Sequence, residues 1–100
     1  MAIHRELAAV SPDRYRRDLA SSLNNLSIWL SELDDRHADA LPFAQEAVAI
    51  RRELAAASPD RYRRDLASSL DNLAKAFSSL GRDAEADAAR AEATAVRGES

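Results

Sequence analysis

One hundred residues with a net charge of −3 fit a single small domain, and abundant Ala, Leu and Arg with scarce Gly, Pro and β-branched residues mark a helical chain. The lack of Cys excludes disulfides and thiolate metal sites, and no apolar run approaches the roughly 20 residues of a membrane span. A mildly acidic chain, although it has local Arg clusters, is a poor candidate for bulk phosphate binding, so neither nucleic acid nor membrane is an expected partner.

Met1–Val10 reads as the end of a helix, with Ile3, Leu7 and Val10 on one face. Ser11-Pro12-Asp13 reads as a helix start: Ser can cap, Pro suits the first helical position, and Asp favours the positive end of the dipole. The helix that follows is expected to run to about Leu33. Its apolar stripe is Tyr15, Leu19, Leu23, Leu26, Leu30 and Leu33. Asp34-Asp35 interrupts the pattern, and Asp35 is placed to cap a second helix from about Arg36 to Ala56. That helix carries the stripe Ala40, Phe43, Ala47, Ile50 and Leu54, with Pro42 near its start.

Ser58-Pro59-Asp60 opens a third helix, whose stripe is Tyr62, Leu66, Leu70, Leu73, Phe77 and Leu80, and Gly81 supplies its stop. The fourth helix, about Asp83–Arg97, has a weak Ala-rich face and a polar remainder, as a terminal unit of a stack would. The C-terminus therefore reads as a true end, whereas the N-terminus reads as cut. The N-terminus lacks a signal-peptide pattern, and the expected setting is soluble and cytoplasmic.

The third helix copies the first. Ser11–Leu23 and Ser58–Leu70 are the same thirteen residues, and at that offset of 47 Ala2–Leu33 matches Ala49–Leu80 at 24 of 32 positions. A repeat of this length means an array of like units rather than one closed core. The expected organisation is one domain over residues 1–100: a partial repeat at 1–10, a first repeat at 11–57, and a second at 58–97.

Each unit is helix, tight turn, helix, with small residues where the helices should cross: Ser27, Ala40 and Ala47, then Ala74, Ala86 and Ala93. The pattern resembles the tetratricopeptide repeat, and within it the kinesin light chain type, which carries a Pro-Asp start, an LNNLA-like core and an AIR-like end. Here these read Pro12-Asp13, Leu23-Asn24-Asn25-Leu26-Ser27 and Ala49-Ile50-Arg51; the second copy has Pro59-Asp60 and Leu70-Asp71-Asn72-Leu73-Ala74. The unit is longer than the common 34-residue form, and Asp71 replaces the first Asn. The resemblance implies an all-α, right-handed α-solenoid that binds a protein or peptide partner on the concave side lined by the first helix of each unit.

On that side the first helix presents Arg17, Ser21, Asn24, Ile28 and Ser31, and the third presents Arg64, Ser68, Asp71, Lys75 and Ser78. Asn both donates and accepts, which suits a peptide backbone. The RYRRD clusters admit two readings. Either Arg14–Asp18 and Arg61–Asp65 pair weakly across one turn, or Arg17 and Arg64 receive an acidic segment of a partner. Trp29 flanks the core stripe and is expected in the core, partly exposed if it faces a missing preceding unit. His4 and His37 have no partners at metal-ligand spacing and read as surface residues. Neither a nucleophile trio nor a phosphate loop is present, so neither catalysis nor a cofactor is expected. Self-association through open, apolar ends of the stack, giving a homo-oligomer, is the alternative to partner binding.

Overall fold

The computed structural model describes residues 12–33 and 36–98. Four helices follow one another: α1 (Pro12–Ser31), α2 (His37–Ala57), α3 (Pro59–Ser79) and α4 (Asp83–Arg97). Among the described residues there is no strand, and no helix is long and apolar enough to cross a membrane. The expected partial helix at Met1–Val10, the Ser11 cap and the break at Asp34-Asp35 lie outside the described residues.

The junctions follow from Pro and Gly. Ser58 alone separates α2 from α3; its N–H donates to the Leu54 carbonyl at 2.9 Å, and its own carbonyl receives Tyr62 N–H at 3.1 Å. Pro59 disfavours helical geometry at Ser58, which sits at φ −142°, ψ 76°. The Ser58 hydroxyl makes no cap bond, contrary to the reading of Ser-Pro-Asp as a side-chain cap. At the end of α3, Gly81 has φ +74°, Arg82 N–H reaches the Phe77 carbonyl at 2.9 Å, and Gly81 N–H reaches Ser78 at 3.0 Å. This pair of bonds satisfies the last carbonyls of the helix and needs a left-handed residue at position 81. Pro42 is the sixth residue of α2, and the helix continues through it.

Consecutive helices pack on each other, and α1 also touches α3. The six small residues expected at helix crossings are all buried: Ser27 is 1% exposed and the five Ala are at 0%. The stripe expected on α3 is buried from Tyr62 to Phe77, with no member above 8%, and Leu80 just past the helix is half-buried. On α1 the same stripe is not: Leu26 is 38% and Leu33 is 37% exposed. The difference is one of neighbours. Among the described residues, α3 is covered by α2 on one side and α4 on the other, while α1 has α2 and a few residues of α3. Trp29 is 58% exposed, outside the core in which the sequence placed it, while its counterpart Ala76 is 3% exposed.

Helix α2 is packed on two sides. Ala40, Ala47 and Leu54 are buried as expected, but Phe43 and Ile50 are only half-buried. A second row, Leu41, Ala44 and Val48, joins the cluster formed by Leu66, Leu70, Phe77 and the Ala residues of α4. That row seats the second repeat on the first.

Candidate peptide-binding groove

Two buried polar connections set α1 and α3 side by side. Asn72 donates through Nδ2 to Asn24 Oδ1 and to Ser27 Oγ, both at 3.2 Å. Arg51, on α2, is 8% exposed. Its guanidinium donates to Ser69 Oγ at 2.6 Å, to the Asp65 carbonyl at 3.2 Å and to Ser21 Oγ at 3.2 Å. Burial pulls the Arg51 pKa below its ordinary value, and the nearby Asp65 carboxylate opposes that shift. Both connections couple a side chain of one repeat to acceptors of the other. They hold the spacing of the two first helices.

Above this seam lies a groove of about 430 Å³. One wall is Asn24, Ile28 and Ser31 of α1 with Glu32 just past its end; the α3 wall is Ser68, Asp71, Asn72 and Lys75. An adjoining recess of about 370 Å³ shares Ser31 and Lys75 and adds Ser78, Ser79 and Arg90. Asp71 does not present a bare charge to the groove, because Arg97 of α4 donates to its Oδ2 at 2.5 Å. Ile28 is 39% exposed and offers an apolar contact among polar neighbours.

Of the residues singled out in the sequence, the fold brings Asn24, Ile28, Ser31, Ser68, Asp71 and Lys75 together in this groove. Arg17, Ser21 and Arg64 do not line it. Arg17 and Arg64 lie seven residues before Asn24 and Asp71, on the same helix faces, about 10 Å nearer the helix N-termini. Ser21 accepts from Arg51 and belongs to the seam. Asn24, read as a peptide-binding amide, is 9% exposed, and its oxygen accepts from Asn72. Glu32, Asn72 and Arg97 were not singled out. The repeated Leu-Asn-Asn and Leu-Asp-Asn triplets carried a signal for Asn72, whereas Arg97 looked like any other terminal Arg.

The RYRRD clusters do not form the local pairs considered above. Among the described residues neither Arg14–Asp18 nor Arg61–Asp65 is a salt bridge; Arg61 lies over the Tyr62 ring, 5.4 Å from its centre. Arg16 pairs with Glu53 of α2. His37 is the first residue of α2, half-buried rather than on the surface, with an Nδ1 that has no hydrogen-bond partner among the described residues. A third recess, about 520 Å³, lies on the open side of the first repeat, between Leu26 and Leu30 of α1 and Pro42 and Phe43 of α2.

Two helical hairpins of matched sequence, packed in series with small residues at their crossings, define a helical-repeat protein. Residues 19–60 and 66–99 each match the tetratricopeptide repeat family model. The chain belongs to the tetratricopeptide repeat family. Repeats of this family generally serve as protein–protein interaction modules, and the family is one of non-enzymatic scaffolds. No curated protein matches the chain, and no solved structure matches it.

Proposed function

We propose that the chain binds a short extended or helical segment of a partner protein in the α1–α3 groove, with an acidic side chain of that segment directed toward Lys75 and Arg90. The observation that carries the reading is the groove itself: half-exposed Ile28 lies among hydroxyls and amides, with Lys75 on the opposite wall. Asp71 is neutralised by Arg97, so it does not repel a carboxylate entering beside Lys75. Arg17 and Arg64 lie farther along the same faces and would meet only a longer ligand. The groove spans two repeats, so affinity should be micromolar or weaker, on the order of −8 kcal/mol or less favourable.

Head-to-tail self-stacking fits less well. The row that seats the second repeat on the first is Leu41, Ala44 and Val48. At the 46-residue offset of the second helices, α4 has Asp87, Arg90 and Thr94 in those places, all exposed. Arg90 pairs with Asp87 at 3.3 Å, and Arg97, the counterpart of Arg51, turns back to Asp71. A face so charged offers no apolar seat to another copy.

The test is selection from a phage-displayed random peptide library. The selected peptides should carry Asp or Glu, should bind more weakly as salt rises, and should lose binding to Lys75→Glu and Ile28→Glu variants with unchanged helical spectra. Selected peptides that bind both variants as well as the parent would refute the groove as the site.

A further inference from the structure

The end of the stack formed by the first repeat carries an apolar strip. Leu26, Trp29 and Leu33 are spaced by three and four along α1, and they are three of the four exposed large apolar residues described. Beside the strip opens the recess of about 520 Å³ between Leu26 and Leu30 of α1 and Pro42 and Phe43 of α2. Arg36 and Asp39 also line it, paired at 3.1 Å and each more than half exposed.

Two features limit what can cover this face. Trp29 holds the place of Ala76, which is 3% exposed in the cluster with Leu41, Ala44 and Val48 of α2. An indole leaves no room for the close approach that Ala76 permits, so a cover shaped like α2 does not fit over Trp29. The α4 face at the other end of the stack carries exposed Asp87, Arg90 and Thr94 and offers no apolar surface. The first-repeat face is complementary to itself. It has both a projecting indole and an apolar recess, and both a cation and an anion, so a two-fold axis brings unlike features together.

We propose that two copies of this chain pair head to head through α1 and α2, with Trp29 of each entering the recess of the other and Arg36 of each facing Asp39 of the other. The inference is independent of the groove reading, because the groove lies on the α3 side of α1 and stays open. Two helices about 30 Å long and about 10 Å across give an end face of about 600 Å² per copy. The total of about 1,200 Å² is at the lower end of specific interfaces. Apolar contacts fill only the part around Trp29, so the dimer is weak, with a dissociation constant on the order of 10–100 μM. The charged α4 face stops growth at two copies.

Trp29 is the single Trp, so its emission reports on this face alone. The full chain is followed by sedimentation velocity and fluorescence from about 1 to about 500 μM. The mass should rise from one copy to two and no further, with Trp29 emission moving to shorter wavelength in step. Trp29→Lys should weaken association at least tenfold with an unchanged helical spectrum. Arg36→Glu leaves the recess acidic and Asp39→Arg leaves it basic, so each alone should weaken association at least fivefold. An equimolar mixture of these two variants should regain the dimer, a rescue that only a face meeting its own copy produces. A chain that stays monomeric at the highest concentration would overturn the proposal, as would a mass beyond two copies or a dimer with unshifted Trp29 emission. So would single variants that associate like the parent, or that stay monomeric when mixed.

Discussion

Replacing Arg51 with Ala tests whether the buried seam holds the two repeats together. Arg51 makes three hydrogen bonds from an 8% exposed position. A bond from a charged donor contributes about 1.5–3 kcal/mol, and a buried acceptor left bare costs about 1–3 kcal/mol. Two terms reduce the sum. The guanidinium is itself desolvated, which lowers its pKa despite Asp65. The Ser21 and Ser69 hydroxyls can also rotate toward nearby carbonyls once the donor has gone. The expected net loss is about 2–4 kcal/mol, or a fall in Tm of roughly 10–25 °C for a domain of this size. Arg51→Met keeps the apolar stem and should recover about 1 kcal/mol of the loss. The neighbouring Arg52→Ala removes an exposed pair with Glu92 and should cost no more than about 1 kcal/mol. Thermal and urea unfolding followed by far-UV circular dichroism measures all three. If Arg51→Ala were no costlier than Arg52→Ala, the seam would not be a determinant of stability.

Two further substitutions probe the packing. Ala47→Leu introduces three carbons where the side chain is fully buried at a helix crossing, and the loss should be about 1–3 kcal/mol by urea unfolding; an unchanged midpoint would remove Ala47 from the crossing. Asn72→Ala strips Asn24 and Ser27 of their donor and should cost about 1–2 kcal/mol, whereas Asn25→Ala, the same position one repeat earlier but exposed, should stay within about 0.5 kcal/mol. Equal effects at the two positions would show that Asn72 gains nothing from its bonds.

The groove was legible in part. Helical spacing placed Asn24, Ile28, Ser68, Asp71 and Lys75 on inward faces because a 3.6-residue period is a property of one helix taken alone. It left the state of those side chains undecided. Asn24 and Asp71 occupy matching positions, yet Asn24 is bound to the neighbouring helix and Asp71 to Arg97 of α4. Those partners lie 48 and 26 residues away, a distance that periodicity does not span. Arg17 and Arg64 shared the right face but lie about two turns and one turn short of the groove, because the spacing gave direction around the axis and not where the cleft opens along it.

The sequence by itself determined the order of the four described helices, the repeat that relates them and the small residues at their crossings. These depend on local terms: Pro and Gly at the junctions, apolar residues every three or four positions, and Ala where two backbones approach. Only the tertiary structure decided which copy of a repeated residue is buried. Leu26 and Leu73, Trp29 and Ala76, and Asn25 and Asn72 hold matching places on their helices, and in each pair the first is exposed and the second buried. Arg51 was equally hidden from the sequence, since nothing local separates it from Arg52, which stays in solvent. Burial is conferred by the neighbouring unit, and among the described residues α3 has one on its N-terminal side and α1 does not.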